Sequence, residues 1–148
     1  LNKLENYFSA VSNWKISQKK YIMSLLQVWY NDSNLPVREK QTSIGREVLT
    51  PLLDKIIKQG IEEGVISTSY PEIVSQVVIG LIIDMGNVFG RSLLVLGLNP
   101  DKPLRERCFQ EMKITKDAFT DAIERVLGID PHRLMLLSDE VLAQWVLL

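Results

Sequence analysis

An all-α fold is predicted for this 148-residue chain, and three observations predict it. Every long apolar segment repeats with a helical period, and none alternates as a half-buried strand does. Turn clusters and prolines divide the chain into five or six such segments. With 46% hydrophobic and 24% charged residues, there is enough apolar material for one packed core. The expected architecture is therefore a single helical domain of five to six helices.

The first helix carries Leu1, Leu4, Phe8, Val11 and Trp14 on one face. Ser17 is placed to cap a second helix whose apolar set is Ile22, Leu25, Leu26 and Trp29. Asn31-Asp32-Ser33-Asn34 reads as a turn, because short polar side chains compete for backbone bonds there. Pro36 suits the first turn of a third helix, which bears Ile44, Val48, Leu49, Leu52, Leu53, Ile56 and Ile57. That stripe is wide and predicts a central helix. Pro51 within it either kinks the helix or restarts it with Thr50 as cap.

Gly64 is a natural left-handed stop for the third helix. Ser69-Tyr70-Pro71-Glu72 then matches a capping box and predicts a fourth helix from Tyr70 to Leu96, ended by Gly97-Leu98-Asn99-Pro100-Asp101. A fifth helix is expected over Pro103–Leu127, with Leu104, Cys108, Met112, Phe119, Ala122, Ile123 and Val126 on one broad face. Gly128-Ile129-Asp130-Pro131 stops it, and a last short helix spans Ser138–Val146.

The fourth helix is almost wholly apolar. Its stretch Val77–Leu98 is 22 residues, long enough for a ~30 Å hydrocarbon core. Asp84 and Arg91 would each cost about 2.5–3.5 kcal/mol near a bilayer centre, and Asn87 adds to that, so burial within protein is the expected role. Its polar residues Gln76, Gly80, Asp84, Asn87 and Arg91 are spaced by 4, 4, 3 and 4. At 100° per residue they form a ribbon about 80° wide. Val78, Ile82, Met85 and Phe89 lie opposite, and Gly86 and Gly90 form a third flank open to a partner helix. The ribbon faces solvent, a ligand cavity or a subunit contact; the sequence leaves these open.

Aromatic residues cluster early: Phe8, Trp14, Tyr21, Trp29 and Tyr30. Such residues with few polar handles suit a small-molecule pocket between helices, although aromatic stripes at helical spacing more often form plain core. The candidate pocket is lined by Trp14, Tyr21, Leu25, Trp29, Leu49, Leu53, Met85 and Phe89, with Asp84, Asn87 and Arg91 as polar handles.

Chemistry finds little footing. His132 is the sole histidine and sits in a turn; Cys108 occupies a helical core position. One cysteine excludes an internal disulfide and fits a reducing compartment, so a cytoplasmic setting is expected. No Cys/His metal spacing, glycine-rich phosphate loop or nucleophile elbow occurs, so no metal, cofactor or enzymatic role is expected. Glu62-Glu63 and Asp117/Asp121 read as helix-surface carboxylates. The net charge of −1 argues against nucleic-acid binding by these residues, since a domain gripping the phosphate backbone is basic. No signal-peptide pattern opens the chain, which starts at Leu1 inside a helical pattern.

Several stretches resemble the C-terminal regulatory domain of TetR/AcrR-type transcriptional regulators. They are Trp14-Lys15, Leu25-Leu26-Gln27-Val28-Trp29-Tyr30-Asn31-Asp32, Val37-Arg38-Glu39-Lys40, Leu49-Thr50-Pro51-Leu52-Leu53, Gln59-Gly60-Ile61-Glu62-Glu63-Gly64-Val65 and Tyr70-Pro71-Glu72. Asp121-Ala122-Ile123-Glu124-Arg125-Val126-Leu127-Gly128 looks like the tail of one branch of that family. The resemblance implies that residues 1–148 form one ligand-binding and dimerisation domain. It implies a homodimer whose four-helix interface uses Tyr70–Leu96 and Pro103–Leu127, and a small hydrophobic or amphipathic effector. DNA would be read only by an N-terminal helix-turn-helix domain that is missing from this sequence. The family has no shared catalytic or ligand residues to carry over. A helical protein–protein interaction module without a cavity is the alternative; a small helical enzyme ranks last.

Overall fold

The structure is a computed structural model and describes residues 1–97 and 99–148. Six α-helices follow one another: α1 (Asn2–Ser17), α2 (Lys19–Trp29), α3 (Leu35–Glu62), α4 (Val74–Leu96), α5 (Lys102–Leu127) and α6 (Asp139–Val146). A single 3-10 turn, Asp32–Asn34, joins α2 to α3, and no strand occurs among the described residues. The all-α expectation is met. Leu98, the end of the expected apolar run, lies outside the described residues.

Local chemistry explains most boundaries. The Asn31 side chain accepts from the Ser33 amide at 3.0 Å and sets the 3-10 turn. Asn34 Nδ2 donates to the Val28 carbonyl at 2.6 Å, and Arg38 Nη1 donates to that of Trp29 at 2.7 Å. These side chains satisfy the carbonyls that α2 leaves unpaired at its end. At the end of α3, Gly64 has φ of 72°; its amide bonds Ile61 O and that of Val65 bonds Gly60 O. This is a Schellman closure, which needs a residue tolerant of the left-handed region. Asp101 caps α5 by accepting from Leu104 N at 2.8 Å, and Ser138 caps α6 by accepting from Val141 N.

Three sequence expectations change. Ser17 does not cap α2; it ends α1 and its hydroxyl donates to Trp14 O at 2.6 Å. Back-bonding to its own helix occupies the group a cap would use. The Ser69–Glu72 box does not open α4, which begins at Val74 with no side-chain cap. The Ser67 amide is tied to Leu127 O at 2.9 Å at the end of α5. From this contact with α5 the α3–α4 connection enters α4 through a turn, in which Tyr70 O accepts from Ile73 N and Val74 N. Finally, α3 passes Pro51 without a break, but only Leu53, Ile57 and Gly60 on it are buried. Ile44, Val48 and Leu52 are exposed, so only the second half of the expected central helix is in the core.

Two apolar clusters form the core. The first joins Leu4 and Phe8 of α1, Leu53 and Ile57 of α3, Val78 of α4 and Ile123 of α5. The second joins Leu26 of α2, Leu93 of α4, Met112 of α5 and Leu142 of α6. Among the described helices, α4 and α5 alone supply residues to both. They are the spine that holds the two ends together, each fully buried aliphatic side chain contributing about 1.5–3 kcal/mol.

Candidate functional site

A groove of about 720 Å³ opens between α3 and the start of α4. From α3 come Arg46, Glu47, Thr50, Pro51, Asp54 and Lys58, a set that recurs every three to four residues along one face. Opposite stand Pro71, Glu72, Ser75 and Gln76. The bridge before α4 is tied to the end of α5 by the Ser67 amide on Leu127 O, and Pro71 and Glu72 of that bridge line the groove. Pro51 also lacks an amide proton, so the Glu47 carbonyl loses its intrahelical donor where both residues line the groove.

One side of the groove is firmly held. Ser75 is 2% exposed and its hydroxyl donates to Asp54 Oδ1 at 3.4 Å. The other Asp54 oxygen pairs with Lys58 Nζ at 2.7 Å, one helical turn on. Arg46 lies near Gly80, the second residue of the polar ribbon on α4. Glu47, Glu72 and Arg46 make no ion pair among the described residues. The lining thus offers both signs of charge beside apolar stems, which suits an amphipathic or zwitterionic molecule.

Further along the ribbon, Tyr30 fills the space between α2, α3 and α4. Its ring lies 5.2 Å from the Arg91 guanidinium and 5.5 Å from that of Arg38. Burial pushes the Tyr30 hydroxyl above its ordinary pKa, while Arg91 and Arg38 pull the other way. The close approach depends on Gly90, where a Cβ would meet the Tyr30 hydroxyl oxygen at 2.3 Å. The same hydroxyl sits at 3.4 Å from Asn87 O and 3.5 Å from Asn87 Oδ1.

The eight expected pocket residues are not brought together. Trp14 and Tyr21 are each 64% exposed, and Leu25 is exposed beside them. Leu53 is fully buried in the first cluster, with Leu49 against it. Phe89 packs on the second cluster; Trp29 and Met85 are half-buried. None of the eight lines the α3–α4 groove. The reason is geometric: α1 turns Leu4 and Phe8 inward, and Trp14 lies about 80° and about 120° around the helix from them. Asp84, Asn87 and Arg91 are all exposed, with Arg91 lying over Tyr30 and Asn87 beside it.

The groove residues themselves escaped sequence reasoning. Pro51 and Pro71 were its visible markers, but charged residues at helical spacing read as a solvated face until a second helix is placed across from them. A smaller hollow of about 290 Å³ lies between the start of α2 and the ends of α4 and α6. No group of three metal-ligating side chains occurs among the described residues. The chain matches no known family model, no curated protein and no solved structure.

Proposed function

We propose that this chain is the effector-sensing and dimerisation domain of a TetR/AcrR-type transcriptional regulator, acting as a repressor. One observation carries the dimer: α4 is apolar enough to span a membrane by length and composition, yet only 28% of its most apolar window is buried. Val77, Val88 and Val95 are exposed along one side of it, and an apolar stripe left uncovered in water marks an association surface. Lipid is the poorer occupant, because Asp84 and Arg91 sit mid-helix and are both exposed. The α4–α5 pair is the spine of the domain, so a partner docked on it would feel shifts at either end.

Sensing is assigned to the α3–α4 groove. It is an open groove rather than an enclosed cavity, so an effector would lie across α3 and the start of α4 with one side in water. Its mixed lining favours an amphipathic effector over a purely hydrophobic one. An effector that binds one spacing of α3 and α4 better shifts the population toward it, and the second half of α3 transmits that shift to the first core cluster. On this reading the chain works in the cytoplasm, binds rather than catalyses, and leaves DNA reading to a helix-turn-helix domain outside these residues.

Sedimentation at micromolar concentration tests the dimer, and a monomer would refute it. A thermal-shift screen with amphipathic compounds tests sensing. The expected result is a concentration-dependent rise in Tm that disappears when Thr50 is replaced by Trp.

A second reading is favoured by α2. Tyr21, Leu25 and Val28 recur at i, i+4 and i+7 and are all exposed, as a docking helix presents its anchors. This is the protein–protein interaction module. A substitution such as Tyr21→Ala that changed neither folding nor partner capture would remove its support.

A further inference from the structure

Val77, Asp84, Val88, Arg91 and Val95 fall within about 60° of one another around α4 at 100° per residue. All five are exposed, Val95 to 79%. The face is therefore apolar with one acid and one base placed seven residues apart. Seven residues span about 10.5 Å of helix, too far for Asp84 and Arg91 to pair within one chain. Neither has an ion-pair partner among the described residues.

We propose that this face docks against α4 of a second copy of the chain in one antiparallel register, with Asp84 against Arg91 of the partner subunit. The inference rests on the dimer half of the reading above and adds its geometry. A two-fold contact is self-complementary: if Asp84 meets the partner's Arg91, then Arg91 meets the partner's Asp84. The axis then crosses α4 between Asn87 and Val88, and the two Val88 side chains flank it. Val77 and Val95 extend the apolar contact outward on either side. A parallel pairing in the same register would set like charge against like charge, which costs affinity. Acid and base thus choose the orientation, and the valines supply the burial. Arg91 is pre-placed for this role by the Tyr30 ring beneath it.

The test is a charge-reversal cycle read by sedimentation equilibrium, with circular dichroism to confirm the helical fold of each variant. Asp84→Arg and Arg91→Asp are each expected to weaken the dimer at least about tenfold by like-charge contact. The double variant D84R/R91D is expected to return to within about threefold of wild type, because the opposed charges are restored. Val88→Arg places like charges at the axis and should give a monomer even where Asp84 and Arg91 are intact. A dimeric wild type whose double swap stays as weak as the single variants would overturn the register while leaving the dimer standing. A monomeric wild type would overturn both, as would a wild type that remains monomeric and floats with phosphatidylcholine vesicles.

Discussion

Glu124 accepts a 2.8 Å hydrogen bond from the Leu134 amide through Oε1. The same oxygen takes the Arg133 amide at 2.8 Å, and Oε2 takes that of His132 at 3.0 Å. Glu124 is 3% exposed and has no cationic partner among the described residues. Three backbone donors thus replace water around a buried carboxylate. They fold the segment after α5 back over the first core cluster, where Leu134 and Leu136 are buried. Glu124→Ala removes the acceptor of three amides, that of Leu134 buried and those of His132 and Arg133 partly so, and should destabilise by about 2 kcal/mol or more in urea unfolding. Glu124→Gln keeps the shape and one acceptor oxygen and should lose less; a loss as large as that of Glu124→Ala would show that shape and a single acceptor contribute nothing without the full carboxylate.

Gly90 and Tyr30 form a second testable pair. Glycine to alanine inside a helix ordinarily stabilises by about 1 kcal/mol. Here the added Cβ collides with the Tyr30 hydroxyl, so Gly90→Ala should give no gain or a loss. In a Tyr30→Ala background the same change should become stabilising. Thermal unfolding of the four proteins measures that coupling, and additive effects would refute the contact.

Trp14 and Leu53 separate the expected pocket from the observed core. Trp14→Ala removes a largely exposed ring and should shift stability by less than about 0.5 kcal/mol, whereas Leu53→Ala empties a fully buried position and should cost about 2–5 kcal/mol. Similar costs for both would mean that α1 packs more fully than described.

Asp139 ties α6 to α5. Its carboxylate binds Lys113 Nζ at 2.5 Å and also Lys116. The Lys113 bond first and the Lys116 bond second hold it below the ordinary aspartate range. A depressed carboxylate pKa contributes stability above the unfolded value of about 3.9 and loses it as pH falls through the folded value. Stability of wild type should therefore fall more steeply than that of Asp139→Asn below about pH 4. Parallel acid-unfolding curves would contradict this.

Thr50→Trp fills the α3–α4 groove from a half-buried position in its wall. Effector-induced thermal shifts should vanish, while stability without effector changes by no more than about 0.5 kcal/mol. A retained shift would place the effector elsewhere, the hollow bounded by Lys19, Arg105 and Trp145 being the next candidate.

The sequence by itself determined the helical class, the number of segments and most helix ends. These follow from neighbours in the chain: the apolar period, the Gly64 and Gly128 stops, and the turn clusters between segments. It also marked the ribbon of Asp84, Asn87 and Arg91 as unusual. Tertiary structure alone decided which expected faces are used. Leu4 and Leu53 are buried while Trp14 is exposed, because at 100° per residue Trp14 lies about 80° around α1 from Leu4 and about 120° from Phe8, off the face that meets the core. Ser69 and Glu72 had the spacing of a cap but gave way to the Ser67–Leu127 bond, formed between residues sixty apart. The groove likewise needs α3 and α4 side by side before Arg46, Asp54 and Ser75 become one site. Local periodicity sees only one face of one helix, and a site is made by the second helix that meets it.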